Sequence, residues 1–225
     1  MDKYSLFVPN FLPSGEYLAA PSNKTCVGCG VSLAVRQIGK VVENFFDDVT
    51  FDRPGKDDLF KGKTNAAFLK IKKGDSEVLF CLDDEPAGGV DNAVKKPMPV
   101  SAVEQGVKYV ATACPSYPFD LMNKVQMALK VSGKSYIHVL CPCPSGWQFN
   151  TENTVKVGFK AVESLAFPLY EVVEGTYKLT NKTVKPRQIA EYLGAQERFS
   201  NVKEEEITAA GAAAQEEYHK LFGAA

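Results

Sequence analysis

Short apolar runs alternate with amphipathic stretches through most of this chain, and that alternation limits the folds open to it. Ala66–Ile71 and Val78–Leu82 are apolar runs separated by Lys72-Lys73-Gly74-Asp75, which reads as strand, turn and strand. Val107–Ala113 and Tyr136–Cys141 are two further strand-like runs. Between them Leu121, Val125, Ala128 and Leu129 mark one face of a helix over Pro118–Val131. A helix is expected at 153–166, then a hairpin, Leu169–Val173 and Thr176–Leu179, turned at Glu174-Gly175. Strands interleaved with helices predict an α/β fold, with a mostly parallel sheet covered by helices.

The flanks read differently. Residues 1–25 show no sustained period and are expected to form an irregular N-terminal arm. Ala34, Ile38, Val41, Val42 and Phe45 recur at three and four, predicting a helix from Gly30 to Phe46. Residues 47–64 are charged and rich in turn formers, so they read as a polar connection. The segments Pro186–Leu193 and Glu204–Phe222 have helical propensity. The expected organisation is an arm (1–25), an α/β domain (26–185) and a helical tail (186–225).

Composition narrows the classes. Of 225 residues, 45 % are hydrophobic and 24 % charged, which is ordinary for a globular protein and removes disorder as the default. A formal net charge of −1 shows no global bias toward nucleic acid. No run approaches the twenty or so apolar residues of a membrane span, and the first residues lack a signal peptide's apolar stretch, so the expected compartment is the cytoplasm. There, six cysteines read as metal ligands and buried thiols rather than disulfides.

Cys26 and Cys29 form a C-x-x-C in Thr25-Cys26-Val27-Gly28-Cys29-Gly30, directly before the first helix. The positive end of that helix favours anionic sulfur. Metal or cluster binding, a redox dithiol and a structural role all fit this pair alone. Cys141 and Cys143 form a C-x-C in Leu140-Cys141-Pro142-Cys143-Pro144, following a strand-like run. The two prolines stiffen that loop. Together the two groups supply four cysteines, the number an iron–sulfur cluster or a structural zinc requires. His138, inside a strand, reads as a core histidine, and Trp147 as packing beneath the second cysteine loop.

Three blocks in order carry a wider resemblance: Tyr109-Val110-Ala111-Thr112-Ala113-Cys114-Pro115-Ser116-Tyr117-Pro118, Tyr136-Ile137-His138-Val139-Leu140-Cys141-Pro142-Cys143-Pro144-Ser145-Gly146-Trp147, and Phe167-Pro168-Leu169-Tyr170-Glu171-Val172-Val173-Glu174-Gly175. With the C-x-G-C-G near the start, they resemble the β subunit of pyruvate and related 2-oxoacid:ferredoxin oxidoreductases. The resemblance implies a thiamine-diphosphate-binding-like fold, here with a reduced first half. It also implies a hetero-oligomer with other oxidoreductase subunits, ferredoxin or another electron carrier as partner, and a [4Fe–4S] cluster beside thiamine pyrophosphate and Mg2+. Nucleic acid and membrane insertion are not expected. Cys26, Cys29 and Cys143 match three of the family's cluster ligands. The fourth has no counterpart in sequence, since no cysteine lies between 30 and 80; Cys141, Cys114, Cys81 or a partner chain remains for that role.

The thiamine elements depart further from the family. Asp84 falls where the family places a magnesium ligand, but the loop's usual Tyr and second Asn are Ala87 and Gly89. The stretch that should carry the family's Gly-Asp-Gly is shortened. Gly74-Asp75-Ser76 is only a partial match and stands too near Asp83 to be the same element. The alternatives are an assembly subunit that has lost thiamine binding and a structural zinc protein.

Overall fold

The computed structural model describes residues 26–42, 49–52, 66–84, 90, 98–183 and 185–223. The expected arm (1–25) and most of the polar connection lie outside the described residues. A seven-stranded sheet runs in the order β1-β2-β3-β5-β4-β6-β7. The strands are β1 (Val49–Asp52), β2 (Ala67–Lys73), β3 (Ser76–Asp83), β4 (Tyr109–Ala113), β5 (Gly133–Leu140), β6 (Tyr170–Val173) and β7 (Thr176–Leu179). The helices are α1 (Gly30–Gly39), α2 (Met98–Glu104), α3 (Pro118–Lys130), α4 (Pro144–Trp147), α5 (Thr154–Glu163), α6 (Ile189–Leu193) and α7 (Glu204–Phe222).

The architecture is α/β, as the alternation predicts, and parallel pairing is confined to the centre, β3 with β5 and β5 with β4. Both flanks are antiparallel. For the β2–β3 and β6–β7 pairs the reason is connection length: the hairpin turns at Gly74-Asp75 and Glu174-Gly175 are too short for a parallel crossover, which needs a dozen or more residues. Gly74 and Gly175 adopt φ of +58° and +81°, and Glu174 one of +49°. Two positive φ values in succession suit a tight turn between twisted strands.

Two expectations change. The first helix ends at Gly39 rather than continuing to Phe46, with Val41 N–H turning back to Ile38 O. A glycine at the last turn weakens continuation. The polar connection contains a strand, β1, whose backbone pairs with β2 from Val49↔Ile71 to Asp52↔Phe68.

Alternation along the strands separates two faces. Val78, Phe80, Leu82, Ile137, Val139, Ala111 and Ala113 point to one face, where Ala34 and Ile38 of α1 and Leu121 and Val125 of α3 cover them. Leu79, Cys81, Val110, Tyr136 and Val172 point to the other, against α2 and the end of α7. Residues of the C-terminal segment, among them Tyr192, Leu193, Phe199, Ala210 and Ala214, complete a third apolar cluster with α5 and Trp147.

Charged groups inside this core are paired. His138 is fully buried and lies between the Tyr136 hydroxyl (3.1 Å from Nδ1) and the Asp83 carboxylate (3.0 Å from Nε2). Lys124 Nζ, 1 % exposed, reaches Thr112 O at 2.7 Å, Asp120 Oδ2 at 2.6 Å and Thr180 Oγ1 at 2.7 Å. An ammonium has three donors, and all three are used here. Burial drives the Lys124 pKa down, with Asp120 opposing.

Candidate metal centre

The parallel strands β3, β4 and β5 all end at one edge of the sheet. Asp83 ends β3 and Asp84 follows it, Cys114 follows β4, and Cys141-Pro142-Cys143 follows β5. Ligand-bearing loops of α/β sheets gather at such carboxyl ends. Cys141 N–H donates to Asp83 O at 2.8 Å and locks the C-P-C loop to the end of β3.

The C-x-x-C turn is seated on the same edge. Gly30 N–H donates to Pro142 O at 3.1 Å, so the first residue of α1 rests on the C-P-C loop. A Cβ at Gly30 would lie 2.5 Å from Pro142 O and 2.7 Å from both Cys141 C and Pro142 N, all backbone atoms. Gly28, at φ +73°, is held from the other side: Thr154 Oγ1 lies 2.7 Å from Gly28 O and 2.9 Å from Thr151 O. The two glycines are therefore fixed by contact and backbone angle, and between them they bring Cys29 to the Cys141–Cys143 loop. The Cys29 N–H closes the turn onto Cys26 O at 3.2 Å.

The six thiols are all free and all lie among the described residues, but their surroundings differ. Cys26 is exposed, while Cys29 and Cys143 are half-buried. Cys143 starts α4, and its sulfur accepts from Gly146 N–H at 3.4 Å. Burial raises the Cys143 pKa, the Gly146 bond lowers it, and Asp84, Cys29 and Cys26 raise it further. Cys141 is fully buried within the α1-side core, its sulfur 3.5 Å from Val139 O. Burial holds its pKa well above the usual value. Cys81 is buried in the apolar cluster of the opposite face, and Cys114 in the third cluster, with α5 and Trp147.

Three sulfurs thus share one edge, but no group of three or more His, Cys, Asp or Glu side chains among the described residues is spaced to hold a metal ion. Backbone contacts bring the Cys26–Cys29 turn against the Cys141–Cys143 loop, where burial raises the Cys141 pKa. Asp84 is half-buried at the end of β3, and residues 85–89, with the rest of the predicted magnesium loop, lie outside the described residues. Gly74-Asp75 is the tip of the β2–β3 hairpin, at the far end of the eight-residue strand from Asp84. Such a strand is about 25 Å long, so the two acidic positions belong to different ends of the sheet.

Arg198 is a member of this edge that sequence reading missed. Its guanidinium lies 4.6 Å above the Trp147 ring and 4.5 Å from that of Phe199, and its Nη2 donates to Gln196 Oε1 at 2.7 Å. Burial lowers its pKa; Tyr192, Asp83 and Cys143 act in the opposite direction. Nothing near Arg198 in sequence marks it, because its partner loop precedes it by some fifty residues. Trp147, 2 % exposed, packs beneath the loop as expected.

No protein-family model matches the chain. Among curated proteins, a pyruvate synthase subunit PorB of Methanothermobacter thermautotrophicus is 44 % identical over 270 aligned positions, covering 87 % of this chain and 93 % of that protein. This chain belongs to the PorB/VorB family, the β subunits of 2-oxoacid:ferredoxin oxidoreductases. The PorB subunit of Methanocaldococcus jannaschii is 36 % identical over 159 residues, or 68 % of this chain and 53 % of that protein. A ketoisovalerate oxidoreductase subunit VorB of Pyrococcus abyssi is 30 % identical over 74 % of this chain and 56 % of its own length. The chain thus spans about half the length of two of these relatives. Against the first, the 270 aligned positions exceed the 225 residues present here, so several tens of residues of that protein have no counterpart. No helix among the described residues is long and apolar enough to cross a membrane.

Proposed function

We propose that this chain is the β-type subunit of a pyruvate-like 2-oxoacid:ferredoxin oxidoreductase complex and passes electrons through a [4Fe–4S] cluster. The observation that carries the reading is the seating of the C-x-x-C turn on the C-P-C loop through Gly30 and Pro142. Cys26, Cys29 and Cys143 are the cluster ligands from this chain. When bound, the cluster supplies one-electron transfer between the substrate site and an external carrier.

The chain's own residues set the surroundings of that centre. Gly146 N–H donates to the Cys143 sulfur, and Cys29 stands at the N-terminal end of α1. Trp147 and Phe149 close the loop from below, at ring centroids 6.3 Å apart, and Arg198 holds positive charge beside Cys143. Cys141 is a poor fourth ligand, because its buried thiol faces the core and resists ionisation. The remaining ligand is contributed by a neighbouring subunit. The names of the relatives support a multi-subunit setting: they are subunits of pyruvate synthase and of ketoisovalerate oxidoreductase.

The test is iron content and visible absorption of the complex after anaerobic purification. Cys26→Ser, Cys29→Ser and Cys143→Ser are each expected to lose the broad band near 400 nm (~400 nm for thiolate-bound iron), and Cys81→Ser and Cys141→Ser to retain it. Zinc in place of iron, or full iron in the Cys143→Ser complex, refutes the reading.

A further inference from the structure

Residues 196–199 clasp the loop that carries Cys143. Cys143 starts α4 and Trp147 ends it, with Trp147 N–H donating to Cys143 O at 2.8 Å. Gln148 then turns at φ +56°, and its carbonyl accepts from Glu197 N–H at 2.9 Å. Next to that bond, the Arg198 guanidinium lies over the Trp147 ring at 4.6 Å and against the Phe199 ring at 4.5 Å. Cys143 packs against the same apolar cluster that holds Trp147 and Phe199.

The guanidinium is also fixed from behind. Gln196, 1 % exposed, donates from Nε2 to Tyr192 O at 3.0 Å. Its Oε1 accepts from Arg198 Nε at 3.0 Å and from Nη2 at 2.7 Å. A planar fork held along one edge and stacked on aromatic faces suits arginine and not lysine. Withdrawing a cation from water is costly unless negative charge stands nearby. Asp83 and Cys143 are such groups: with Tyr192, they oppose the lowering of the Arg198 pKa by burial.

We propose that Arg198 tunes the cysteine centre, holding a fixed positive charge beside Cys143 that raises the reduction potential of the centre. The inference rests on the cluster reading above and deepens it. One-electron reduction adds one negative charge, which a nearby cation favours, and partial burial keeps that effect from being screened by salt. Without Arg198, the carboxylates of Asp83 and Asp84 at this edge are left to act on the centre, and like charge disfavours the added electron.

The anaerobically purified complex is titrated with dithionite, and its reduced signals are followed by electron paramagnetic resonance against electrode potential. The signal that Cys143→Ser removes is the one compared between the native complex, Arg198→Met and Arg198→Lys. Arg198→Met removes the charge and keeps much of the bulk, so the midpoint is expected to fall by about 59 mV, a tenfold change in a one-electron equilibrium. Arg198→Lys restores the charge without the fork and is expected to recover at least half of that fall. A role confined to packing would give the same fall in both variants. Where Arg198→Met fails to assemble, Gln196→Glu decides: it is nearly isosteric, places a carboxylate on the guanidinium, and should lower the midpoint in the same direction. A native complex from which Cys143→Ser removes no signal overturns the cluster reading and this inference together. Full iron with an unchanged midpoint in Arg198→Met, or in Gln196→Glu where that variant decides, overturns this inference alone, as do equal falls in the methionine and lysine variants.

Discussion

Gly30→Ala tests whether the cysteine turn is really built on the cysteine loop. The added methyl would stand 2.5 Å from Pro142 O and 2.7 Å from Cys141 C and Pro142 N. All three are backbone atoms of a loop that is stiffened by two prolines and tied to β3 through Cys141 N–H. No side chain can rotate out of the way, so α1 must lift. Overpacking of this kind costs about 1–3 kcal/mol, and losing the Gly30–Pro142 hydrogen bond adds about 1 kcal/mol. Alanine's better helix propensity returns at most about 1 kcal/mol. The net loss is about 2 kcal/mol, which lowers the melting temperature of a chain this size by roughly 4–8 °C. Thermal unfolding of the variant, with iron content of the purified complex measured beside it, reads both consequences. Val27→Ala, in the same turn but 78 % exposed, should stay within about 0.5 kcal/mol of the parent. A Gly30→Ala protein with unchanged stability and full iron would show that the turn does not rest on the loop, and the cluster assignment would lose its main support.

Two further outcomes follow from other parts of the molecule. Burial raises Cys114 from 9.0 to about 11 and Tyr117 from 10.0 to about 12, so the folded state keeps protons that the unfolded state releases. Stability should therefore fall as pH rises above about 9, with Cys114 accounting for about 2 kcal/mol by pH 11. Cys114→Ala should flatten that slope in urea melts at pH 8, 9, 10 and 11, and an unchanged slope would refute the assignment. Calorimetric titration of the folded chain with thiamine pyrophosphate and Mg2+ should show no micromolar binding, because Asp84 alone supplies too little of an octahedral oxygen shell and Asp83 is engaged by His138. Micromolar binding abolished by Asp84→Ala would show that this chain, rather than another subunit, holds the diphosphate.

The sequence by itself determined the α/β class, most strand and helix positions after residue 66, and the two cysteine groups. These features are local: period-two and period-3.6 patterns, turn glycines and prolines, and cysteine spacing express themselves within a few residues. The central strands and α3 match their expected ranges closely for this reason. Tertiary structure decided what local pattern cannot encode. Val49–Asp52 is a strand because β2 offers a free edge to pair with, although its neighbours in sequence are polar. Cys81, Cys114 and Cys141 were equal candidates for a fourth ligand in sequence, yet strand alternation sends Cys81 to the face opposite α1, and the core encloses Cys114 and Cys141. Arg198 acquires its position only when segments far apart in the chain meet, the C-terminal segment with Trp147. Burial, charge pairing and helix-end fields depend on distances across the fold, and those are set by packing rather than by spacing along the chain.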